Sequence, residues 1–285
     1  MINHAAYGTE PWRLVEKEFD LDLLPQSESV FALSNGHIGL RGNLDEGEPH
    51  GLPGTYLNSM YEVRPLPYAE AGYGFPDAGQ TVINVTNGKV IRLLVDDEPF
   101  DIRYGTLHSH ERVLDLRAGT LTRRVDWSSP ANARIKMTSV RMVSLTQRAI
   151  AAIKYTVEPV DQKLRLVLQS ELVTNEELPM RGKDPRLAAV LESPLVSEEH
   201  QTYDGATPRV VLVHGTRVSG LRMAAGMSHV ITGPAKMQWR TESYPDLGRS
   251  TVAAEVAPGE QLCIVKFISY GWSSQRSRPA LIDQP

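Results

Sequence analysis

Short runs in which apolar and polar residues alternate recur along most of this chain. In one of them Leu164, Leu166 and Leu168 are separated by polar or smaller positions that begin with Arg165. Successive side chains of a strand point to opposite faces, so this pattern indicates strands with one buried face. Patterns typical of helices are scarce. The alternation therefore predicts an all-β protein, a large antiparallel β-sandwich of two sheets with few helices and under about a tenth of its residues in α-helix.

Turn-forming residues separate these runs and set the expected organisation. The other predicted strands lie near residues 90–95, 121–127, 149–157, 209–213, 221–227 and 261–269. Long loops are expected over residues 61–79 and 172–187, and a turn or two of helix over residues 183–191. The strand pattern ends near residue 270. Residues 1–270 are therefore predicted to form the sandwich, and residues 271–285 to begin a linker.

Composition narrows the class of protein. The chain has 285 residues, of which 41% are hydrophobic and 22% charged, as in ordinary globular proteins. Its net charge is −4, and its Lys and Arg residues are spread along the chain, which argues against a nucleic-acid groove. Cys263, the single cysteine, lies in an apolar run and is expected to be buried and inert. With no visible signal peptide and no bilayer-length apolar run, a cytoplasmic location without membrane contact is expected.

Residues 28–43 contain glycine at every third position, at Gly36, Gly39 and Gly42. Asn35 and Gly36 lie between two apolar runs, and this pair favours a tight hairpin turn because both residues tolerate positive φ. The spacing differs from the glycine fingerprint of dinucleotide-binding folds, which precedes a helix. The run is therefore interpreted as a β-hairpin.

This run also resembles the opening of the N-terminal domain of glycoside hydrolase family 65, which contains maltose, trehalose and kojibiose phosphorylases and related hydrolases. Later segments resemble the family in the same order. They are residues 54–62, 100–102, 114–123, 143–145 and 150–159. The resemblance extends from about Trp12 to the end of the chain and is strongest before Asp161.

The resemblance implies a supersandwich of the galactose-mutarotase type that supports a separate (α/α)₆ catalytic barrel. Such a domain would also contribute to oligomerisation, with a homodimer as one form, and to the substrate entrance. The general acid and the phosphate-binding residues of the family lie on that barrel, which would follow the linker. The substrates of the full enzyme would be an α-glucosidic disaccharide and inorganic phosphate. No catalytic residue is therefore assigned to this chain, and the isolated chain is expected to be inactive.

The candidate binding residues lie in the glycine-rich hairpin and the segment after it. They are Asn35, Gly36, His37, Arg41, Tyr56 and Asn58. Glycine weakens a strand unless another backbone or a ligand comes close, so we expect these residues to meet the barrel or the substrate entrance. The Arg41 guanidinium would make a forked bond to a carboxylate across that interface. The competing interpretation is a sandwich hairpin whose glycines only relieve crowding.

Other chemistry finds little support in the sequence. Glycoside cleavage normally uses two carboxyl groups. The acidic runs 45–48, 96–98, 176–177 and 198–199 all lie beside turns, so solvated loop charge is expected. His108 and His110 are expected to share one strand face, but no third zinc ligand is evident. The four tryptophans are expected in the core. No metal or cofactor is therefore predicted.

A second function remains open at this point. The chain could instead be a free-standing carbohydrate-binding or aldose-mutarotase-like sandwich. A mutarotase needs a histidine acid and a glutamate base at the anomeric centre, and only His108 or His110 could supply the acid. The sequence beyond Pro285 would separate the two hypotheses.

Overall fold

The computed structural model describes residues 6–65, 74, 76–177, 191, 193–203 and 207–283. Within these ranges it contains twenty strands and two short helices. The first ten strands are β1 (Gly8–Glu10), β2 (Arg13–Glu16), β3 (Leu33–Ser34), β4 (Ile38–Leu40), β5 (Thr55–Leu57), β6 (Tyr61–Pro65), β7 (Ala78–Val82), β8 (Ile91–Val95), β9 (Glu98–Pro99) and β10 (Thr106–Asp115). The others are β11 (Thr120–Ser128), β12 (Arg134–Val143), β13 (Ile150–Pro159), β14 (Leu164–Val173), β15 (Leu195–Tyr203), β16 (Arg209–Thr216), β17 (Arg222–Thr232), β18 (Met237–Tyr244), β19 (Leu247–Val256) and β20 (Leu262–Ser273). The helices are α1 (Leu24–Val30) and α2 (Arg278–Ile282).

Two large sheets build the sandwich. The larger has ten strands in the spatial order β1-β2-β10-β11-β12-β13-β20-β17-β16-β15, and the other has five in the order β18-β19-β14-β8-β9. Strands β3-β4-β5 and β6-β7 form two small sheets. All pairings between these described strands are antiparallel. The helices have only seven and five residues, so the predicted all-β class with few helices is confirmed.

The predicted alternation places the core between the two large sheets. In β14, Leu164, Leu166 and Leu168 point inward and are buried. Ser170 continues the same row, and its hydroxyl lies 2.8 Å from Nε2 of His229 in β17 of the opposite sheet. Because these side chains bridge the sheets, the five-stranded sheet packs face to face on the ten-stranded one.

Some predicted loops contain strands. Within residues 61–79, Tyr61–Pro65 and Ala78–Val82 pair as β6 and β7, so the loop prediction was wrong at both ends. Residues 172 and 173 complete β14, whereas residues 178–190 lie outside the described part. The helical turn expected at residues 183–191 therefore falls outside the description, except for residue 191.

The last described residues pack on the outer face of the large sheet. Strand β20 continues to residue 273, past the sandwich boundary predicted at residue 270. Leu281 of α2 is buried against Val211, Val213 and Ala224 of β16 and β17. This contact fixes where the end of the described chain lies. The role of residues 271–285 as a linker stays a prediction.

None of the helices in the described ranges is both long enough and apolar enough to cross a membrane.

Candidate functional site

The side chain of Asn35 holds the turn between β3 and β4. Its Oδ1 accepts the backbone N–H groups of the two following non-glycine residues at 2.9 and 2.8 Å. Its Nδ2 donates to the carbonyl oxygens of Ser144 and Arg148 at 2.6 and 2.9 Å. Gly36 takes φ of +81°, which glycine adopts without strain. The amide thus satisfies both its donors and its acceptor within the domain and ties the hairpin to the β12–β13 loop.

His37 lies in this turn directly before β4, and Asn58 directly follows β5. The backbone N–H of Asn58 donates to the carbonyl of His37 at 2.8 Å, and the Asn58 side chain is exposed. His37 is half-buried. Its burial and the positive charge of Arg148 lower the pKa of its imidazole below 6.5. It is therefore neutral near pH 7 and can both donate and accept a hydrogen bond at the surface.

Three residues form one row across the small sheet. Ser34 pairs with Gly39, and Gly39 pairs with Tyr56, so their outward positions are adjacent. A Cβ atom at Gly39 would meet only Tyr56 Cβ at 3.8 Å and Ser34 Oγ at 3.9 Å, which are ordinary contacts. The described part of the domain therefore gives no steric reason for glycine at position 39.

The neighbouring glycines do have internal reasons. A Cβ atom at Gly42 would come 2.8 Å from Cβ and the carbonyl oxygen of Phe31, and one at Gly54 would overlap the side chain of Arg41. Gly42 also lies beyond the end of β4. Relief of crowding explains these two glycines but leaves Gly39 unexplained.

Arg41 contacts a carboxylate of its own domain, and it does so through one N–H group rather than through a fork. Its Nη2 donates to Glu28 Oε2 at 3.1 Å and to the carbonyl of Pro25 at 3.0 Å, and Nη1 donates to Ser29 Oγ at 2.9 Å. Glu28 is fully buried and also accepts two backbone N–H groups of residues 51 and 52. The guanidinium thus anchors helix α1.

The acidic run 45–48 differs from its prediction. Asp45 and Glu46 are buried, so solvated loop charge was wrong for both, whereas Glu48 is exposed. Arg123 of β11 donates to both oxygens of Glu46, at 2.5 and 2.8 Å. Arg141 of β12 donates to Asp45 Oδ1 at 2.8 Å. The carboxylates can be buried because each one has an arginine partner.

These pairs belong to a charged layer inside the sandwich. Arg112 of β10 donates to Glu16 Oε2 at 2.5 Å and to the carbonyl of Gly42 at 3.0 Å. Lys266 of β20 donates to the carbonyls of Val90 and Glu171 at 3.2 and 2.6 Å. Cations from β10, β11, β12 and β20 of the large sheet therefore hold the 41–48 segment and Val90, the residue before β8, between the sheets.

One signal for this layer was present in the sequence. Leu121, Val125 and Trp127 form the apolar face of a predicted strand, and Arg123 lies on that same face by the period of two. An arginine among buried positions requires a buried acceptor. Its acceptor, Glu46, lies 77 residues away, so the sequence could indicate that an acceptor is needed but not which residue supplies it.

His108 and His110 do not share a face. The pairing of β10 with β11 is shifted between Leu107 and Ser109, and this bulge turns the two rings apart. His108 is exposed, and its Nε2 lies 2.8 Å from Ser128 Oγ. His110 is buried, and burial together with the charges of Arg123 and Arg112 lowers its pKa to about 2. His110 therefore cannot supply the proton that a mutarotase needs. Across the described ranges, no cluster of three or more His, Cys, Asp or Glu side chains could hold a metal ion.

The tryptophans divide into two groups. Trp127 is fully buried, and its Nε1 donates to the carbonyl of Tyr104 at 2.7 Å. Trp272 packs against the core while partly exposed. Trp12 and Trp239 are 60% and 36% exposed, so core packing was wrong for these two. Arg117 lies over the ring of Trp12 at 5.7 Å, which accounts for part of its environment.

Buried carboxylates in the described part of the chain are engaged in internal contacts. Arginine pairs with Glu16, Glu28, Asp45, Glu46 and Glu171. Glu62 instead accepts the N–H groups of Val63, Val218 and Ser219. Glycoside cleavage requires a carboxylic acid that faces substrate and keeps a proton. These groups face protein cations and donors instead.

A comparison with known protein families identifies the family of this domain. The profile described as glycosyl hydrolase family 65, N-terminal domain, matches residues 14–284. The chain belongs to glycosyl hydrolase family 65. The residues of the glycine-rich hairpin, the charged layer and α2 all lie inside the matched range, and the resemblance stated from the sequence is confirmed.

Relatives of this family 65 domain are longer proteins. An uncharacterized glycosyl hydrolase of Mycobacterium tuberculosis (strain H37Rv) is 61% identical over 284 residues, which cover 100% of this chain and 36% of that protein. The α,α-trehalose phosphorylase of Thermoanaerobacter brockii is 31% identical over 268 residues, covering 93% of this chain and 34% of the relative. The chain thus spans about a third of the length of these relatives.

A solved structure shares the fold. A provisionally assigned kojibiose phosphorylase from the human microbiome superposes with a TM-score of 0.83 at 22% identity, over 98% of this chain and 35% of that one. At this identity the similarity supports the sandwich architecture and no more.

Proposed function

We propose that this chain is the non-catalytic N-terminal domain of a family 65 enzyme that acts on an α-glucosidic disaccharide of the maltose, trehalose or kojibiose type, with inorganic phosphate or water as the second substrate. The observation that carries the proposal is the state of the buried carboxylates. Each is bound by an arginine of its own domain or, for Glu62, by backbone N–H groups. The catalytic groups would belong to an (α/α)₆ barrel in the remaining two thirds of the enzyme.

The glycine-rich hairpin is the surface that we propose for the barrel or the substrate entrance. Its candidate residues are Asn35, Gly36, His37, Arg41, Tyr56 and Asn58. Gly39 supports this choice, since a glycine that no described neighbour in its own domain requires suits the close approach of another chain segment. Asn35 and Arg41 would act by shaping the surface, because their polar groups are bound internally. His37, Tyr56 and Asn58 would make the contacts.

The location of the chain end supports the same surface. Asn35 bonds the β12–β13 loop, and the carbonyl of Ala149 in that loop accepts the N–H of Tyr270, three residues before β20 ends. Strand β20 therefore ends on the side of the sandwich that carries the hairpin, and this brings the residues that follow it close to the proposed surface. A cytoplasmic homodimer is part of the same proposal, and the buried single thiol of Cys263 suits a reducing compartment.

The test compares the isolated chain with the full-length enzyme. Both are incubated with maltose, trehalose or kojibiose, with and without inorganic phosphate, and glucose 1-phosphate and glucose are measured. We expect product from the full-length enzyme and none above the buffer blank from the isolated chain. Product from the pure isolated chain would contradict the proposal. Faster interconversion of α- and β-glucose by that chain would favour the mutarotase-like alternative.

A further inference from the structure

A trough lies on the outer face of the large sheet, away from the charged layer. Its volume is about 290 Å³, at the lower end of the size of small-molecule sites. The side chains that matter for its chemistry come from β16, β17, β20 and the β12–β13 loop. They are Gln147, Arg209, Ser228, Phe267 and Ser269.

Strand register fixes the layout of the trough. Phe267 pairs with Ser228, and Ser228 pairs with Arg209, so an aromatic ring, a hydroxyl and a guanidinium follow one another across three strands. The strands are about 4.8 Å apart, so the wall is about 10 Å long. In the next row Ser269 pairs with Gly226, and Gly226 pairs with Val211. The floor at its centre therefore has no side chain.

Gly226 is unusual because it interrupts the middle of β17. Glycine in a strand interior weakens pairing and often marks the close approach of a ligand. Its outward neighbours are larger: Ala224 lies under Leu281 of α2, and Ser228 forms the wall. The missing side chain is thus limited to Gly226, which lies between Ala224, covered by α2, and the polar Ser228.

Phe267 provides an apolar wall that remains open to solvent, with 42% of its surface exposed. The Arg209 guanidinium lies over the ring of Tyr203 at 5.0 Å, which restrains its orientation at the other end. Hydroxyl and amide groups lie between and beside them. Among the described residues that line the trough there is no carboxylate.

We propose that this trough binds a neutral di- or oligosaccharide. A pyranose ring has a face of C–H groups that can pack on an aromatic ring, and hydroxyls at its rim that exchange hydrogen bonds with serine, glutamine and arginine side chains. The row from Phe267 to Arg209, about 10 Å long, has the length for two pyranose rings. The site would hold substrate or a longer glucan near the enzyme without taking part in catalysis.

The experiment titrates the 285-residue chain with maltose, trehalose and maltoheptaose, followed by calorimetry and by amide chemical shifts in ¹⁵N-labelled protein. We expect at least one of these saccharides to bind and to shift the amides of residues 226–228 and 267–269. Phe267→Ala should weaken binding about tenfold, equivalent to about 1.4 kcal/mol. Gly226→Val should abolish it by filling the floor, while β-branched valine keeps the strand.

The matched control is Trp239→Ala, which removes another exposed aromatic ring from β18 of the other sheet. It should leave affinity unchanged. A melting temperature measured for each variant shows that the fold persists. The proposal is overturned if none of the three saccharides binds, if binding survives both trough variants, or if Trp239→Ala abolishes it. Since this test needs no turnover, its result is independent of the proposed enzyme activity.

Discussion

At the scale of single residues, Gly39 has room for a methyl group, and this separates it from the other glycines of its hairpin. We expect Gly39→Ala to raise the free energy of unfolding of the isolated chain by about 0.5–1 kcal/mol, because alanine restricts the unfolded state more than glycine does. In the full-length enzyme the same methyl group would meet the docked catalytic part. Activity or assembly should therefore fall although the domain is more stable.

Gly8→Ala is the matched control for this substitution. Gly8 also lies in a strand, and its nearest atoms would be 3.8 and 3.9 Å from an added Cβ. It should stabilise the isolated chain similarly and leave the full-length enzyme active. Urea unfolding and product assays of both variants check the pair. Equal activity of the two full-length variants would show that the Gly39 row is not an interface.

Sequence reasoning at this scale succeeded where the chemistry was local. The Asn35–Gly36 turn follows from the two residues themselves, as does the buried thiol of Cys263 in its apolar run. It failed for Asp45 and Glu46, because turn residues beside them suggested solvent. Their burial depends on Arg123 and Arg141, and the sequence does not show which carboxylates these arginines meet once the sheet is assembled.

At the scale of elements, one carboxylate joins β6 to the large sheet. Glu62 Oε1 accepts from Ser219 N and Ser219 Oγ at 2.8 and 2.7 Å, and Oε2 accepts from Val218 N at 3.0 Å. The partners are 156 and 157 residues away in sequence, in the β16–β17 turn. Residues 61–65 were predicted as loop because their strand is stabilised by contacts with a distant turn and not by a local alternation of apolar and polar residues.

We expect Glu62→Gln to lower the free energy of unfolding by about 1–3 kcal/mol, because an amide cannot accept all of these bonds. Hydrogen exchange of β6 and β7 should accelerate more than that of β13. Burial acts to raise the Glu62 pKa, but the bonds from Ser219, Val218 and Val63 outweigh it and hold the pKa below 4.5. The contribution of the Glu62 carboxylate to the free energy of unfolding is thus present above pH 4.5 and is lost as the pH falls through the lowered pKa.

The difference between wild type and Glu62→Gln should therefore shrink in acid. Glu255→Gln serves as the control, since Glu255 is exposed on β19 and pairs with exposed Lys163. It should change stability by less than about 0.5 kcal/mol. If β6 and β7 exchange at the wild-type rate in Glu62→Gln, the carboxylate does not hold them.

At the scale of the whole molecule, the alternating pattern was sufficient to predict the sandwich but not to predict the segment that lies between its sheets. Period-two runs specify which face of each strand is buried, and the two large sheets follow from that. The segment from residue 41 to residue 54 then enters between the sheets, which no strand pattern encodes. It brings carboxylates and carbonyls to the cations of the large sheet and to Lys89, whose Nζ donates to Gly54 O at 3.1 Å and to Thr55 Oγ1 at 2.5 Å.

The buried lysines Lys89 and Lys266 predict how the stability of the fold depends on pH. Burial lowers the pKa values of Lys89 and Lys266 from 10.5 to about 7. At pH values between the folded and unfolded pKa values, the unfolded chain binds a proton at each lysine and the folded chain does not. Raising the pH through that window therefore favours the folded state, by up to about 1.4 kcal/mol per pH unit for each lysine, and the gain vanishes below about pH 7.

Lys266→Met isolates one of these two contributions. Val90 O keeps its bond from the N–H of Glu171 at 3.0 Å, so the apolar side chain leaves that carbonyl satisfied. Urea unfolding from about pH 7 to about pH 9 should show a shallower rise of the free energy of unfolding than in wild type, with Lys89 supplying the remainder. Lys163→Met removes an exposed lysine, whose proton affinity changes little on folding, and should keep the wild-type slope. If Lys266→Met also keeps that slope, Lys266 retains its proton in the folded state, and its ammonium group would have to be stabilised by the two carbonyls and by the negative charge of Glu171.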